Sequence, residues 1–336
     1  MATPAKTIAF IGLGVMGYRM AVNLRSKIDS SYKIVICDIS KDAISKYQSQ
    51  MKGKGEIDVV ENGFEAAQAA DMVITMLPDS PAVKAVYLDP KTGIIAGAVK
   101  AMSSGSKKKI LMECGTIEVA TILEVSKAVE EAEFKLPTGM RLTFIDSPVS
   151  GGPMGAEAGS LCLMVGSTRK EVFPEIKAVL SHMGRSDNIF LCGDVGAGTA
   201  FKVINNYISA VVSLASSEAL NIGDKMGLDL KLLTDVINSS GGQTWITSNS
   251  NPVPGIHPNA PASRNYEGGF RIELCKKVLQ MGTDLAEMVG ARHILDKPTM
   301  EAFEEASADP RYAGKDARVV YKWLNESVKK PGGGWQ

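Results

Sequence analysis

Histidine is nearly missing from this chain. His182, His257 and His293 are spread over 336 positions, so their spacing offers neither a metal cluster nor a histidine-centred triad. Five cysteines (Cys37, Cys114, Cys162, Cys192, Cys275) are scattered, odd in number and without metal-ligand spacing. They read as reduced, buried thiols of a reducing compartment and exclude a disulfide framework. No excess of one charge exists either: 37 Lys+Arg balance 37 Asp+Glu, and no basic block is longer than Lys107-Lys108-Lys109. A nucleic-acid partner is therefore not expected. No apolar run approaches the roughly 20 residues of a membrane span, so no membrane partner is expected. The first predicted strand begins near Thr7, so no signal or transit peptide is expected ahead of it.

What is present is a repeated alternation of apolar strands and helical segments in a chain long enough for two domains. Thr7–Ile11 is a short apolar strand followed at once by Gly12-Leu13-Gly14-Val15-Met16-Gly17, after which a helix runs through Met20, Ala21 and Leu24. Glycine serves the tight turn at position 12, close approach of a pyrophosphate at 14 and helix packing at 17. The helix N-terminus offers free N–H groups to phosphates. A second strand, Lys33–Cys37, ends at Asp38 at the distance the dinucleotide fingerprint requires. A carboxylate there accepts from a ribose 2′-OH and repels a 2′-phosphate, so NAD is expected rather than NADP. Further strands over 71–77, 109–113 and 142–145 imply a doubly wound parallel sheet. Leu77, Pro78 and Thr116 fall beyond the carboxyl ends of two of them, where such sheets bind ligands. Polar inserts over 103–108 and 134–141 read as loops. Strands over 161–165 and 188–192, with a helix over 170–183 between them, close the first domain.

Asp146-Ser-Pro-Val-Ser-Gly-Gly152 follows a strand end. Ser150, Gly151 and Gly152 offer a hydroxyl and backbone N–H groups suited to an anion, although an ordinary glycine turn has the same composition. Gly196-Ala-Gly-Thr-Ala-Phe-Lys202 then opens a long helix, and Lys202 and Asn206 share one of its faces, one turn apart. A cation in the first turn opposes the helix dipole. A surface lysine at a helix N-terminus would show the same pattern, so the spacing alone leaves a structural and a functional lysine both open. The fold expected is α/β: a Rossmann-type dinucleotide-binding domain over 1–194, then an all-helical domain over 195–330 opening with a long interdomain helix. Residues 331–336 are expected to form a flexible tail.

The motifs Gly12–Gly17 with Met20–Leu24, Asp146–Gly152 and Gly196-x-Gly-x-x-x-Lys202-x-x-x-Asn206 resemble those of the β-hydroxyacid dehydrogenases. Asn251–Gly255 and Asn265–Phe270 extend the similarity, which runs from about Lys6 to Asn325. The resemblance implies NAD-linked oxidation of the primary alcohol of a small β-hydroxyacid to its semialdehyde, a step of valine breakdown. It implies Lys202 as catalytic lysine, Asn206 as its partner, and Ser150, Gly151 and Gly152 on the substrate carboxylate. Gly12 to Gly17, Asp38, Leu77, Pro78, Thr116 and Lys277 would fall on the cofactor. A homodimer or homotetramer and a mitochondrial, otherwise cytoplasmic, location are implied as well. Related imine reductases and phosphosugar acid dehydrogenases are the alternatives. The former usually replace the lysine, and the latter want clustered cations near Ser150. Two positions depart from the family pattern: Val278 stands where aspartate is usual, and Gly115 where serine is common.

Overall fold

The computed structural model describes residues 6–327, so the expected tail over 331–336 lies outside the described residues. Two compact units divide the chain, Met1–Lys202 and Val203–Gln336.

The first unit is built on nine strands: β1 (Thr7–Ile11), β2 (Lys33–Cys37), β3 (Ile57–Val59), β4 (Met72–Thr75), β5 (Lys108–Glu113), β6 (Arg141–Asp146), β7 (Val149–Ser150), β8 (Leu161–Gly166) and β9 (Gly184–Gly193). Between them lie α1 (Gly17–Lys27), α2 (Lys41–Gln50), α3 (Gly63–Ala69), α4 (Ser80–Leu88), α5 (Ile94–Ser103), α6 (Val119–Phe134), α7 (Gly152–Ala158) and α8 (Phe173–Leu180). Strands β3-β2-β1-β4-β5-β6 pair in parallel, in that order. The chain therefore winds outward from β1 to β3, returns to the other side of β1 at β4, and winds outward again. That reversal at β1/β4 is a topological switch point, which opens a crevice at the carboxyl ends. Beyond β6 the sheet turns mixed: β8 runs antiparallel to β6 and β7, and β9 parallel to β8.

Alternation along the strands explains why both faces are covered. Ile8 and Phe10 of β1 join one core with Met20 and Leu24 of α1 and Tyr47 of α2. Ala9 and Ile11 point the other way, into a second core with Val83 and Tyr87 of α4, Ala98 of α5 and Val125 of α6. A period of two in the strand thus feeds two apolar layers at once.

α9 (Ala197–Lys225) carries the chain out of the first unit. The second unit continues with α10 (Leu230–Asn238), α11 (Trp245–Asn249), α12 (Ile272–Met288), α13 (Asp296–Ala308) and α14 (Val320–Ser327). Its core gathers Ala210, Leu214, Tyr266, Leu279, Phe303 and Val320. Two of the sequence motifs meet there: the buried Tyr266 hydroxyl donates to the Pro252 carbonyl at 2.8 Å. Asp316 accepts from the Phe270 backbone N–H at 2.7 Å and pairs with Arg318.

Candidate active site

The cofactor expectations converge on the carboxyl ends of β1, β2, β4 and β5. Gly12 has φ +94°, and a side chain there would meet the Met76 carbonyl, while a Cβ at position 17 would collide with the Gly12 carbonyl. Those two glycines bring β1 and α1 together. Gly14 is different, because a Cβ built on it meets nothing within 4 Å. It leaves a cradle open above the turn, a fit for a pyrophosphate that needs close approach to backbone N–H groups. Asp38 fixes this turn from β2: its carboxylate accepts from the Leu13 N–H at 2.5 Å and the Ser40 N–H at 2.6 Å. Leu77 and Pro78 follow β4, and Thr116 follows β5, all on the same rim of the sheet.

The second group centres on Lys202. Asp146, buried at the end of β6, accepts from the Gly196 N–H at 2.7 Å and the Thr199 N–H at 2.6 Å, so its carboxylate serves the orphan donors that open α9. Burial pushes its carboxyl above the ordinary range, and those N–H groups pull it back. Gly198 lets the helix lie directly on β8, since a Cβ there would stand 2.1 Å from the Met164 carbonyl. One turn later comes Lys202, and two residues back along β8 from Met164 comes Cys162. Lys202 is buried, and among the described residues no hydrogen bond or ion pair engages its Nζ. Desolvation lowers its pKa to about 8, with Cys162 the group that pushes it back up.

Cys162 pairs in register with Ser150 of β7. Directly opposed residues of an antiparallel pair present their side chains on one face, roughly 5 Å apart. Leu161, Leu163 and Val165 alternate with Cys162 and fill the core beneath, so the half-buried thiol and the half-buried Ser150 face away from it. The Ser150–Gly152 segment runs straight into α7, a helix that its glycine-rich composition does not announce. Asn23 of α1 holds that helix, donating to the Ala156 carbonyl at 2.7 Å and the Glu157 carbonyl at 3.1 Å.

Asn206 and Lys277 belong to the second unit. Asn206 lies half-buried one helical turn after Lys202 on α9, and Lys277 is half-buried on α12. Val278 is buried and packs with Val203 and Met281. A carboxylate in its place would have to enter an apolar contact.

No role in the site follows from the sequence for Cys162, Asp146 or Glu113. The first two belong to strands whose partners only the sheet reveals. The third, the last residue of β5, is wholly buried. Its one sequence signal was an acid in an otherwise apolar strand end. The expectation of five buried thiols needs correction: Cys162 and Cys192 are half-buried, Cys162 because it faces away from the core that Leu161, Leu163 and Val165 fill.

Comparison with known proteins sharpens the picture. Residues 7–193 match the family model described as the NAD binding domain of 6-phosphogluconate dehydrogenase. Residues 196–324 match the one described as NAD-binding of NADP-dependent 3-hydroxyisobutyrate dehydrogenase. The probable mitochondrial 3-hydroxyisobutyrate dehydrogenase of Dictyostelium discoideum is 36% identical over 97% of this chain and 92% of its own. The human mitochondrial 3-hydroxyisobutyrate dehydrogenase is 34% identical over 95% and 87%. A solved 3-hydroxyisobutyrate dehydrogenase from Mycobacterium tuberculosis, described with L-serine, superposes with a TM-score of 0.81 at 32% identity, covering 95% of this chain and 99% of the other.

Proposed function

Because the chain belongs to the 3-hydroxyisobutyrate dehydrogenase family, we propose that it oxidises the primary alcohol of 3-hydroxyisobutyrate, or a closely related β-hydroxyacid, to the semialdehyde with NAD. The carrying observation is Lys202, a buried amine with no hydrogen-bond partner among the described residues and a pKa lowered to about 8. A drop from 10.5 to about 8 costs the folded protein on the order of 3 kcal/mol below about pH 8, and less as pH rises toward the unfolded value. A structural lysine would be paired or exposed; one held bare and near neutrality is suited to proton transfer.

The roles follow from that geometry. Lys202, unprotonated, takes the hydroxyl proton as the C–H bond breaks, and returns it when the reaction runs backward. Bound NAD supplies the acceptor for the hydride leaving the carbinol carbon. Ser150, Gly151 and Gly152, anchored through α7, offer a hydroxyl and N–H groups to the substrate carboxylate. Asn206 can orient substrate or amine without competing for the proton, since its amide does not titrate. Asp38 favours NAD by accepting from the ribose and repelling a 2′-phosphate. Leu77, Pro78, Thr116 and Lys277 complete the cofactor side. The L-serine described with the solved relative shares a carboxylate and a primary hydroxyl with 3-hydroxyisobutyrate, which makes it a second substrate to test. The proposed setting is valine breakdown in the mitochondrial matrix, in keeping with the names of the eukaryotic relatives.

Steady-state assays of a hydroxyacid panel with NAD and NADP, following absorbance of the reduced nicotinamide, test the proposal. The expected result is highest kcat/KM for 3-hydroxyisobutyrate with NAD. A panel without turnover, despite binding of NAD, would leave a cofactor-binding module and refute the enzyme.

A further inference from the structure

Glu113 has no part in the proton or hydride transfer above, yet its carboxylate is buried with only uncharged hydrogen-bond partners. We propose that Glu113 is a positioning residue whose carboxylate pins the Leu77–Pro78 segment to the Gly115–Thr116 segment and so sets the cofactor face. The proposal rests on the cofactor reading of that rim.

The geometry carries it. Glu113 ends β5 and pairs in register with Thr75, which ends β4. Its Oε1 accepts from the Gly115 N–H at 2.6 Å and its Oε2 accepts from the Thr75 hydroxyl, while the Cys114 N–H between them donates to the Thr75 carbonyl at 2.8 Å. One carboxylate thus receives donors from the last residue of β4, which leads into Leu77–Pro78, and from the segment that follows β5. Position 115 is closed around it: a Cβ there would stand 2.6 Å from Glu113 Oε1 and 2.6 Å from the Leu77 carbonyl. Glycine in place of the family's serine is therefore the companion of this pin.

The network also has two satisfied proton arrangements. With Glu113 ionised, the Thr75 hydroxyl donates to Oε2 and Tyr87, whose hydroxyl lies 2.8 Å from Thr75 Oγ1, donates to Thr75. With Glu113 protonated, it donates to Thr75, which turns to the Met112 carbonyl 3.1 Å away. The titratable groups facing Glu113 are Tyr87 from α4 and Cys114 beside it. Burial pushes both well above their ordinary values, so they stay neutral. Burial raises Glu113 itself to about 7. Below that pH the Gly115 N–H and the Thr75 hydroxyl lose their anion, and charge-assisted bonds become weaker neutral ones.

The test is NADH binding to the full-length protein, followed by its fluorescence, for wild type, Glu113→Gln and Glu113→Asp. Glutamine keeps the shape but is fixed in the uncharged form. It should raise the NADH Kd about fivefold or more at about pH 8, and less than about twofold at about pH 6, where wild type has gained its own proton. The kcat at saturating cofactor and the KM for hydroxyacid should stay within about threefold. Aspartate, one methylene short of Gly115, should weaken binding at both pH values. If Glu113→Asp does not fold, the glutamine variant decides alone. Folded variants that bind within about twofold of wild type at both pH values would overturn the pin while leaving the cofactor reading intact. A wild type that binds no NADH would overturn that reading, and the pin with it.

Discussion

A thiol is an undemanding neighbour for a buried lysine. Burial pushes the Cys162 thiol up, with Lys202 partly offsetting that effect, so it holds the amine charged far less than a carboxylate would. An aspartate at the same place would form an ion pair and raise the lysine by about one to three units. Cys162→Asp is therefore expected to move the acidic limb of the kcat/KM profile upward and to lower turnover at neutral pH, whereas Cys162→Ser leaves the limb in place. An unmoved limb in Cys162→Asp would separate the two residues. Asp38 makes a second claim at this scale. Asp38→Ser removes the charge that repels a 2′-phosphate and should narrow the preference for NAD over NADP in kcat/KM. It should also loosen the glycine turn, because the carboxylate holds the Leu13 and Ser40 N–H groups. Residues such as Lys202 and Asp38 were legible in the sequence because short spacings along one element define them. Cys162 and Glu113 were not, because their meaning lies in a neighbour across the sheet.

Helix α9 shows how an element is placed by a residue far away in sequence. Its opening N–H groups rest on Asp146, fifty positions earlier, and its glycine sits on the β8 backbone. Asp146→Ala strands two buried donors, and the expected cost is about 1–3 kcal/mol, as for a lost cap. Scanning calorimetry should register this as a lower Tm, with kcat falling as well because Lys202 rides on the displaced turn. An unchanged Tm would show that the helix is held elsewhere. Spacing along the chain made α1 and the opening of α9 after Gly196 readable. The segment over 41–69 was not: β3 is a three-residue edge strand with only Ile57 partly buried, and α3 hides its apolar face behind alanines too small to stand out. α5 likewise depends on a contact that only the fold provides, since its Gly97 packs on the Phe64 backbone.

At the scale of the whole molecule, the alternation of strands and helices was enough to foretell a doubly wound sheet followed by a helical unit. It could not foretell the mixed edge beyond β6, where strand direction depends on connections as short as Ser147–Pro148. The long apolar helix is more than one small domain covers: Ile204, Ile208 and Ile222 are each more than half exposed in the single chain, at 52%, 57% and 61%. Such a stripe is what a second copy would cover. Light scattering at micromolar concentration is expected to give a dimer or larger; a monomer would contradict it.

The central claim remains the proton carried by Lys202. The direct measurement is the pH dependence of hydroxyacid oxidation for wild type and Lys202→Met, with folding followed by circular dichroism and NADH binding by fluorescence. Burial holds the folded pKa near 8, below the ordinary lysine value, so the penalty of the bare ammonium is fully present below about pH 8 and fades as pH rises toward the unfolded value. Lys202→Met should therefore be at least as stable as wild type at neutral pH. Wild-type kcat/KM should fall below about pH 8, and the variant should lose both that limb and about 10²–10⁴-fold in kcat while still binding NADH. A folded Lys202→Met that keeps more than about a tenth of wild-type kcat, with the acidic limb intact, would contradict the account.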